Sequence, residues 1–183
     1  GTLFTRGSSS KSQQMIFKEN SFQASNATFE ILSEEVDNHE LVFLNVKLDF
    51  DLQKNMASIK TERQSNAVIS FPNTAMETSI TDAVWFLEDS IVTMEKPENV
   101  DLIDSYFYST SPALDSLVFN GTNAIYDIKT SELNVQGIPY ILVADAKIIP
   151  ENNEITIKIN SKMETFRNAE IIYETPELYH FLT

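Results

Sequence analysis

The sequence predicts an all-β fold, a repetitive β-jellyroll or β-solenoid with a repeat near 20 residues. Three observations predict it: strand-like alternation in several segments, a short signature that recurs along the chain, and a composition suited to a packed core. The chain has 183 residues, of which 42% are hydrophobic and 10% aromatic. That apolar fraction can build the core of one ordinary domain or of a slice of a larger array.

Several segments rich in β-branched and aromatic residues alternate between apolar and polar positions, which is typical of half-buried strands. Every second residue is apolar in Val46–Leu52, and three isoleucines share a face in Ile155–Ile159. Apolar runs at Leu41–Leu44 and Ala67–Phe71 predict two more strands. The continuous run Pro139–Val143 predicts a strand covered on both faces.

Two stretches also fit helices. Apolar residues fall at helical spacing between Ile80 and Ile91, although we favour a strand there. Thr175-Pro176-Glu177 resembles a helix start with proline at the first helical position, and this segment stays open between the two structures.

A small signature recurs along the chain: Asn or Asp, then Ala or Val, then a β-rich pair. A short polar residue tolerates the unusual backbone angles of a corner, and the small residue after it lets layers approach. With one degenerate copy near Asp104 the mean spacing is roughly 20 residues, which is typical of stacked arrays. Chance is the alternative, because Asn-Ala and Asp-Ala pairs are common at this composition. The copies begin at Asn26, Asn45, Asn66, Asp82, Asn123, Asp145 and Asn168.

Composition also shifts along the chain. The Ser-rich, polar segment 1–14 is typical of an arm or linker, and residues 15–183 form the predicted β array. The chain stops directly after the apolar cluster Tyr179–Leu182. We therefore expect a fragment of a longer chain.

The balance of charges excludes some partners. The chain has 13 Lys+Arg against 27 Asp+Glu, a formal net charge of −14. Nucleic-acid binding depends on neutralising phosphates with Lys and Arg, so we expect no nucleic-acid partner. An anionic membrane surface is disfavoured for the same reason. The absence of cysteine from the sequence excludes a disulfide framework, a thiolate zinc site and a thiol nucleophile.

Catalytic chemistry has little support in the sequence. His39 lies in a polar stretch and His180 among aromatic residues, and neither has a nucleophile close in sequence. The four glycines are too few and too scattered for a dinucleotide fingerprint or a P-loop. Asp49 and Asp51 share one face of a strand and could pair as carboxylates or hold Ca²⁺, but a solvated acidic face is the favoured interpretation. We expect a non-enzymatic protein without catalytic residues, cofactor or metal.

Two aromatic clusters can be interpreted in two ways. Trp85-Phe86 follows a predicted corner, and Tyr106-Phe107-Tyr108 precedes a proline. Exposed Tyr and Phe clusters can be contact patches for glycans or proteins. A partly buried strand edge is the favoured interpretation.

One stretch resembles a known family. Asn123-Ala124-Ile125-Tyr126-Asp127, followed by Leu133 to Ile138, is similar to the A-x-Y-D…L-x-x-x-G-V unit of the OstA/LptA-like lipopolysaccharide-transport family. The resemblance implies stacked V-shaped β layers with an apolar interior that passes lipid chains in the Gram-negative envelope. The segment Tyr140–Pro150 is also similar to large uncharacterised Bacteroidetes envelope proteins. Glycine is scarcer here than in the family's turns, so a parallel β-helix remains an alternative.

Two functions follow as expectations. The first is a cell-envelope module, in the periplasm or at the outer membrane or cell surface of a Gram-negative bacterium, that binds or conducts lipid or lipopolysaccharide. The alternative is a structural or adhesive β-solenoid segment of a large envelope or surface protein. Open ends on either array need further repeats of the chain or an envelope protein partner. The expected apolar groove is lined by Leu48, Phe50, Ile69, Ile155 and Ile157.

Overall fold

The computed structural model describes residues 1–33, 39–61, 68–114 and 117–173. These residues form an all-β structure without an α-helix, and the all-β prediction is confirmed. The strands make one antiparallel sheet of 19 strands that does not close on itself. In chain order they are β1 (Thr2–Thr5), β2 (Ser8–Lys11), β3 (Gln14–Lys18), β4 (Ser21–Leu32), β5 (His39–Asp51), β6 (Met56–Thr61), β7 (Ile69–Phe71), β8 (Met76–Thr78), β9 (Asp82–Phe86), β10 (Ile91–Glu95), β11 (Tyr106–Ser109), β12 (Val118–Asn120), β13 (Asn123–Asp127), β14 (Glu132–Gln136), β15 (Ile141–Val143), β16 (Ala146–Ile149), β17 (Glu154–Lys158), β18 (Lys162–Met163) and β19 (Glu170–Tyr173).

Strand pairing divides the sheet into two rows. The first row runs through β3, β4, β5, β6, β9, β10, β13, β14, β17 and β18. The second row runs through β1, β2, β4, β5, β7, β8, β11, β12, β15, β16 and β19. Only the long strands β4 and β5 belong to both rows, so they join the rows along one side.

The two long strands pass from one row to the other at irregular positions. Asn26 and Asn45 adopt positive φ angles of 46° and 56°, beside register shifts between β4 and β5. Asparagine tolerates this backbone region better than most residues. The predicted polar corner is confirmed at these two sites, but Asp82 and Asn123 simply begin strands, and Asn66 lies outside the described residues.

The core lies between the two rows. Phe29 on β4 in the second row contacts Trp85 on β9 in the first, with ring centroids 6.0 Å apart. Farther along, Phe71 on β7 contacts Tyr126 on β13 at 5.3 Å. Burying each large apolar side chain contributes about 1.5–3 kcal/mol, so these facing rows supply most of the driving force for folding.

Turns of the first row share one geometry. Residues 52–55, 87–90 and 128–131 connect successive strand pairs. The last residue of each turn has positive φ: 49° at Asn55, 60° at Ser90 and 52° at Ser131. The turns are also tied together, because Leu87 N donates to Asn55 O and Ile128 N donates to Ser90 O, both at 3.0 Å.

The N-terminal segment 1–14 differs from the expected arm or linker. It forms β1 and β2, which pair into the second row, and it reaches the start of β3. Ser8, Ser9 and Ser10 are buried, and Ser9 Oγ donates to Glu30 Oε2 at 2.7 Å. Small hydroxyl side chains fit beneath the edge of a sheet, and a Ser-rich composition does not reveal this.

Two other segments show how well local patterns predicted strands. Residues Ile80–Ile91 contain β9 and the start of β10, so the strand prediction is confirmed. The predicted strand Pro139–Val143 is shorter, and it is not covered on both faces: Leu142 is 53% and Val143 48% exposed. Its outer face has no opposing layer among the described residues. The helix-like segment at Thr175 lies outside them.

A buried polar network ties the rows together. Glu40 on β5 is 4% exposed, and its Oε2 accepts hydrogen bonds from Tyr126 Oη at 2.7 Å, Ser131 Oγ at 2.9 Å and Asn73 Nδ2 at 2.9 Å. Burial and the bond to Glu40 raise the pKa of the Tyr126 phenol, which therefore remains a donor. A buried carboxylate needs such donors, because it has lost its water.

We predict that Tyr126→Phe lowers the free energy of unfolding by about 1–3 kcal/mol, because the carboxylate of Glu40 loses a buried donor. Urea unfolding measures the change. Tyr106→Phe is the matched control, since Tyr106 lies on an outer face with 37% exposure. Equal losses in the two variants would contradict a special role for the network.

Candidate functional site

The five predicted groove residues all lie in the core. Leu48, Phe50, Ile69 and Ile157 have no exposed surface, and Ile155 is 4% exposed. Four of them belong to the first row, on β5 and β17, and Ile69 belongs to the second, on β7. A groove between the rows stays a prediction.

The interior is filled by side chains where these residues lie. The Phe50 ring stacks on Phe22 at 5.1 Å and meets the edge of Trp85 at 6.1 Å. Protein interiors are packed as tightly as organic crystals. A lipid chain could enter here only if the two rows moved apart.

The motif that carries the family resemblance forms the hairpin β13–β14. Ala124 and Tyr126 are buried opposite Val135 and Leu133. Asp127 ends β13, and its Oδ1 accepts from the backbone N–H groups of the following turn at 2.8 and 3.2 Å. These residues therefore build a hairpin, and their arrangement explains the motif without any catalytic role.

Gly137 of the same motif is required by geometry. Its φ is +68°, and a Cβ atom there would lie 2.0 Å from Thr122 Oγ1. The next residue, Ile138, is fully buried. The glycine thus lets the chain leave β14 and turn toward the second row.

The paired aspartates of β5 have separate structural roles. Asp51 Oδ1 accepts from the backbone N–H groups of Gln53 and Lys54, both at 3.0 Å. These bonds from Lys54 and the nearby ammonium hold the pKa of Asp51 below its usual value. Asp49 Oδ2 accepts from Gln23 Nε2 at 2.8 Å. Both carboxylates lie on the outer face, as in the favoured interpretation.

Within the described ranges, no three His, Cys, Asp or Glu side chains are grouped so that they could hold a metal ion. His39 begins β5, and its Nδ1 lies 3.7 Å from Glu30 Oε1. His180 lies outside the described residues.

The aromatic clusters divide between core and outer face. Trp85 is 5% exposed and belongs to the core, whereas its neighbour Phe86 is 36% exposed. Tyr106 and Tyr108 lie on the outer face of β11 with ring centroids 6.1 Å apart. The Tyr108 hydroxyl donates to Glu77 on β8.

The outer face of the second row also carries exposed apolar side chains. Strand register aligns Tyr108 with Val118, places Leu142 opposite Lys147, and sets Lys147 opposite Ile172. Val118, Leu142 and Ile172 are 51%, 53% and 42% exposed. Cross-strand register brings these side chains side by side, so no local signal in the sequence could have located them as a group.

The sheet ends in four strands that pair on one side only among the described residues: β1 and β3 at one end, β18 and β19 at the other. Unpaired N–H and C=O groups there can accept a further strand. The exposed apolar side chains on these strands are Phe4, Ile16, Phe17, Ile171, Ile172 and Tyr173.

We predict that the Tyr108 phenol ionises at a higher pH than an ordinary tyrosine. Its hydrogen bond to Glu77, and then burial, raise its pKa to about 12, above the usual value of about 10. Because the folded state holds this proton more tightly, the stabilisation is present below pH 10 and is lost as the pH rises through about 12. In an ultraviolet titration of phenolate formation, Tyr108→Phe should therefore have one fewer tyrosine that ionises at a raised pH. Superimposable curves for the late transition would contradict this.

In comparisons with known proteins, no family model, no curated protein and no solved structure matches the chain. Among the described residues there is no helix that is long and apolar enough to cross a bilayer.

Proposed function

We propose that this chain is a non-enzymatic structural module of a cell-envelope β array, which joins further repeats of its own polypeptide or an envelope protein partner through its strand edges. The observation that carries the proposal is the pair of ends that stay open among the described residues, β1 with β3 and β18 with β19. The envelope location, in the periplasm or at the surface of a Gram-negative bacterium, is supported by the family resemblance.

Layered stacking supports the jellyroll form of this proposal. The first-row turns are linked by hydrogen bonds from one turn to the next, and the second row repeats the arrangement: Ala75 has a φ of 49° and its carbonyl accepts from Thr110 N at 2.9 Å. Two rows joined along one side by β4 and β5 suit a stack of V-shaped layers. Such a stack grows by adding strands at its ends.

The apolar edge residues support association as well. Phe17 on β3 is 62% exposed, and Tyr173 on β19 is 68% exposed. Soluble proteins usually protect edge strands with charges, prolines or bulges, because an open edge pairs with other chains. A strand added to either end would satisfy backbone groups and cover these side chains.

We predict that proline in β19 weakens association. Successive amides of an edge strand point alternately toward its partner and toward the open side. Of Ile171→Pro and Ile172→Pro, one therefore removes an outward N–H group. That variant should shift the concentration-dependent oligomers seen by native mass spectrometry toward the monomer, at least several-fold.

The control is threonine at the same two positions, which keeps the β-branched shape and the amide. Circular dichroism identifies the proline variant that stays folded. A wild-type chain that remains monomeric at every concentration, and binds no envelope protein, would overturn the proposal.

Lipid or lipopolysaccharide binding is the second candidate. Its supporting observation is the continuous apolar interior between the rows, which includes Leu48, Ile155 and Ile157. Native mass spectrometry of the chain purified gently from a Gram-negative envelope should then show retained lipid at a defined stoichiometry. Leu48→Asp should abolish that retention, and a clean polypeptide mass for the wild-type chain would count against this candidate.

A further inference from the structure

A cavity of about 600 Å³ opens where the ends of the two rows approach each other. We call it the mouth cavity. It is formed by the end of β4 with the β1–β2 turn on one side, and by the tied turns of the first row on the other. Its volume lies within the range of small-molecule sites.

Apolar side chains form part of the lining of the mouth cavity. Ile31 and Trp85 are buried at its base, with 1% and 5% exposure, and Leu32, Leu87 and Ile128 are half-buried around them. Trp85 Nε1 is buried without a hydrogen-bond partner among the described residues. The base therefore offers apolar side chains to a ligand.

The walls are held in place by backbone hydrogen bonds. Leu32 N donates to Gly7 O at 2.9 Å on one side, and the bonds at Leu87 and Ile128 fix the turns on the other. Gly7 has a φ of +72°, and a Cβ atom there would lie 3.9 Å from Trp85 Cη2. The cavity is thus already shaped without a ligand.

The rim brings two cations together in a strongly acidic chain. Arg6 and Lys129 are exposed at the rim, and neither side chain has an ion-pair or hydrogen-bond partner among the described residues. The rim also carries Glu88, whose Oε1 accepts from Asn55 Nδ2 at 2.8 Å. Glu88 keeps its negative charge, so the two cations and one carboxylate leave the lining of the cavity with an excess of one positive charge.

From these features we propose that the mouth cavity binds a small amphipathic carboxylate. The ligand's apolar body lies against Trp85, Leu87 and Ile128, and its carboxylate lies at the rim between Arg6 and Lys129. Opposite charge at the rim and apolar surface at the base together select this class over a neutral hydrocarbon or an amphipathic cation.

This site is independent of the proposed association through strand edges. It lies between the rows and uses none of the residues of β18 or β19. It also differs from the predicted interior groove, because filling it requires no separation of the rows. Failure of either proposed function would leave this inference intact.

The test uses the chain's single tryptophan as a reporter. Decanoate, below its micellar concentration, is titrated into the full chain, and both Trp85 fluorescence and its indole N–H cross-peak in a ¹H–¹⁵N spectrum are followed. We expect saturable changes in both signals with decanoate. Decyltrimethylammonium, which has the same chain and the opposite charge, should produce neither.

The variants separate the site from nonspecific binding. Arg6→Gln combined with Lys129→Gln should weaken decanoate binding roughly five- to tenfold. The charge-matched control Lys18→Gln combined with Lys162→Gln removes two cations elsewhere and should bind as the wild type does. Leu87→Glu, checked for folding by circular dichroism, should abolish binding.

Three results would overturn the inference: no saturable response to decanoate, equal responses to decanoate and the cationic amphiphile, or equal weakening by the two double variants. The last two would show that the indole senses general adsorption of amphiphiles rather than a site at the rim.

Discussion

The face-to-face burial of two strand rows is the constraint on which the rest of this structure depends. Neither row can bury its apolar face alone, and Phe29 against Trp85 and Phe71 against Tyr126 are contacts between rows. β4 and β5 hold the rows together along one side. The Glu40 network links the rows elsewhere, and the tied turns hold the strand pairs of the first row together.

The same constraint explains why the candidate functional features lie at the margins. A core packed between two rows leaves its outer faces, its ends and the opening between its turns free to make contacts. Among the described strands, β3 and β19 pair on one side only and offer backbone groups to another strand, whereas the mouth cavity has apolar side chains beneath a charged rim. These surfaces have different chemistry, so they suit different partners.

The residues of the family-like motif illustrate how a motif can reflect folding alone. Asp127 caps a turn, Gly137 avoids a clash with Thr122, and Ala124 and Tyr126 face the core. Each residue has a structural reason to be where it is. The resemblance therefore supports a way of building hairpins more directly than it supports a ligand.

Local patterning in the sequence was enough to predict the all-β class and the strands around Leu48 and Ile157, because alternation with period two records which face is buried. The recurring signature placed polar corners at Asn26 and Asn45, but its copies at Asp82 and Asn123 begin strands instead. Local patterning did not reveal that the Ser-rich segment 1–14 joins the sheet, or that Leu142 faces outward, since both depend on strands distant in the chain. Only the tertiary structure brought Arg6, Trp85 and Lys129 to one cavity, and Glu40 to Tyr126. The reason is that strand register and the approach of the two rows are set by packing between distant segments, which no local pattern encodes.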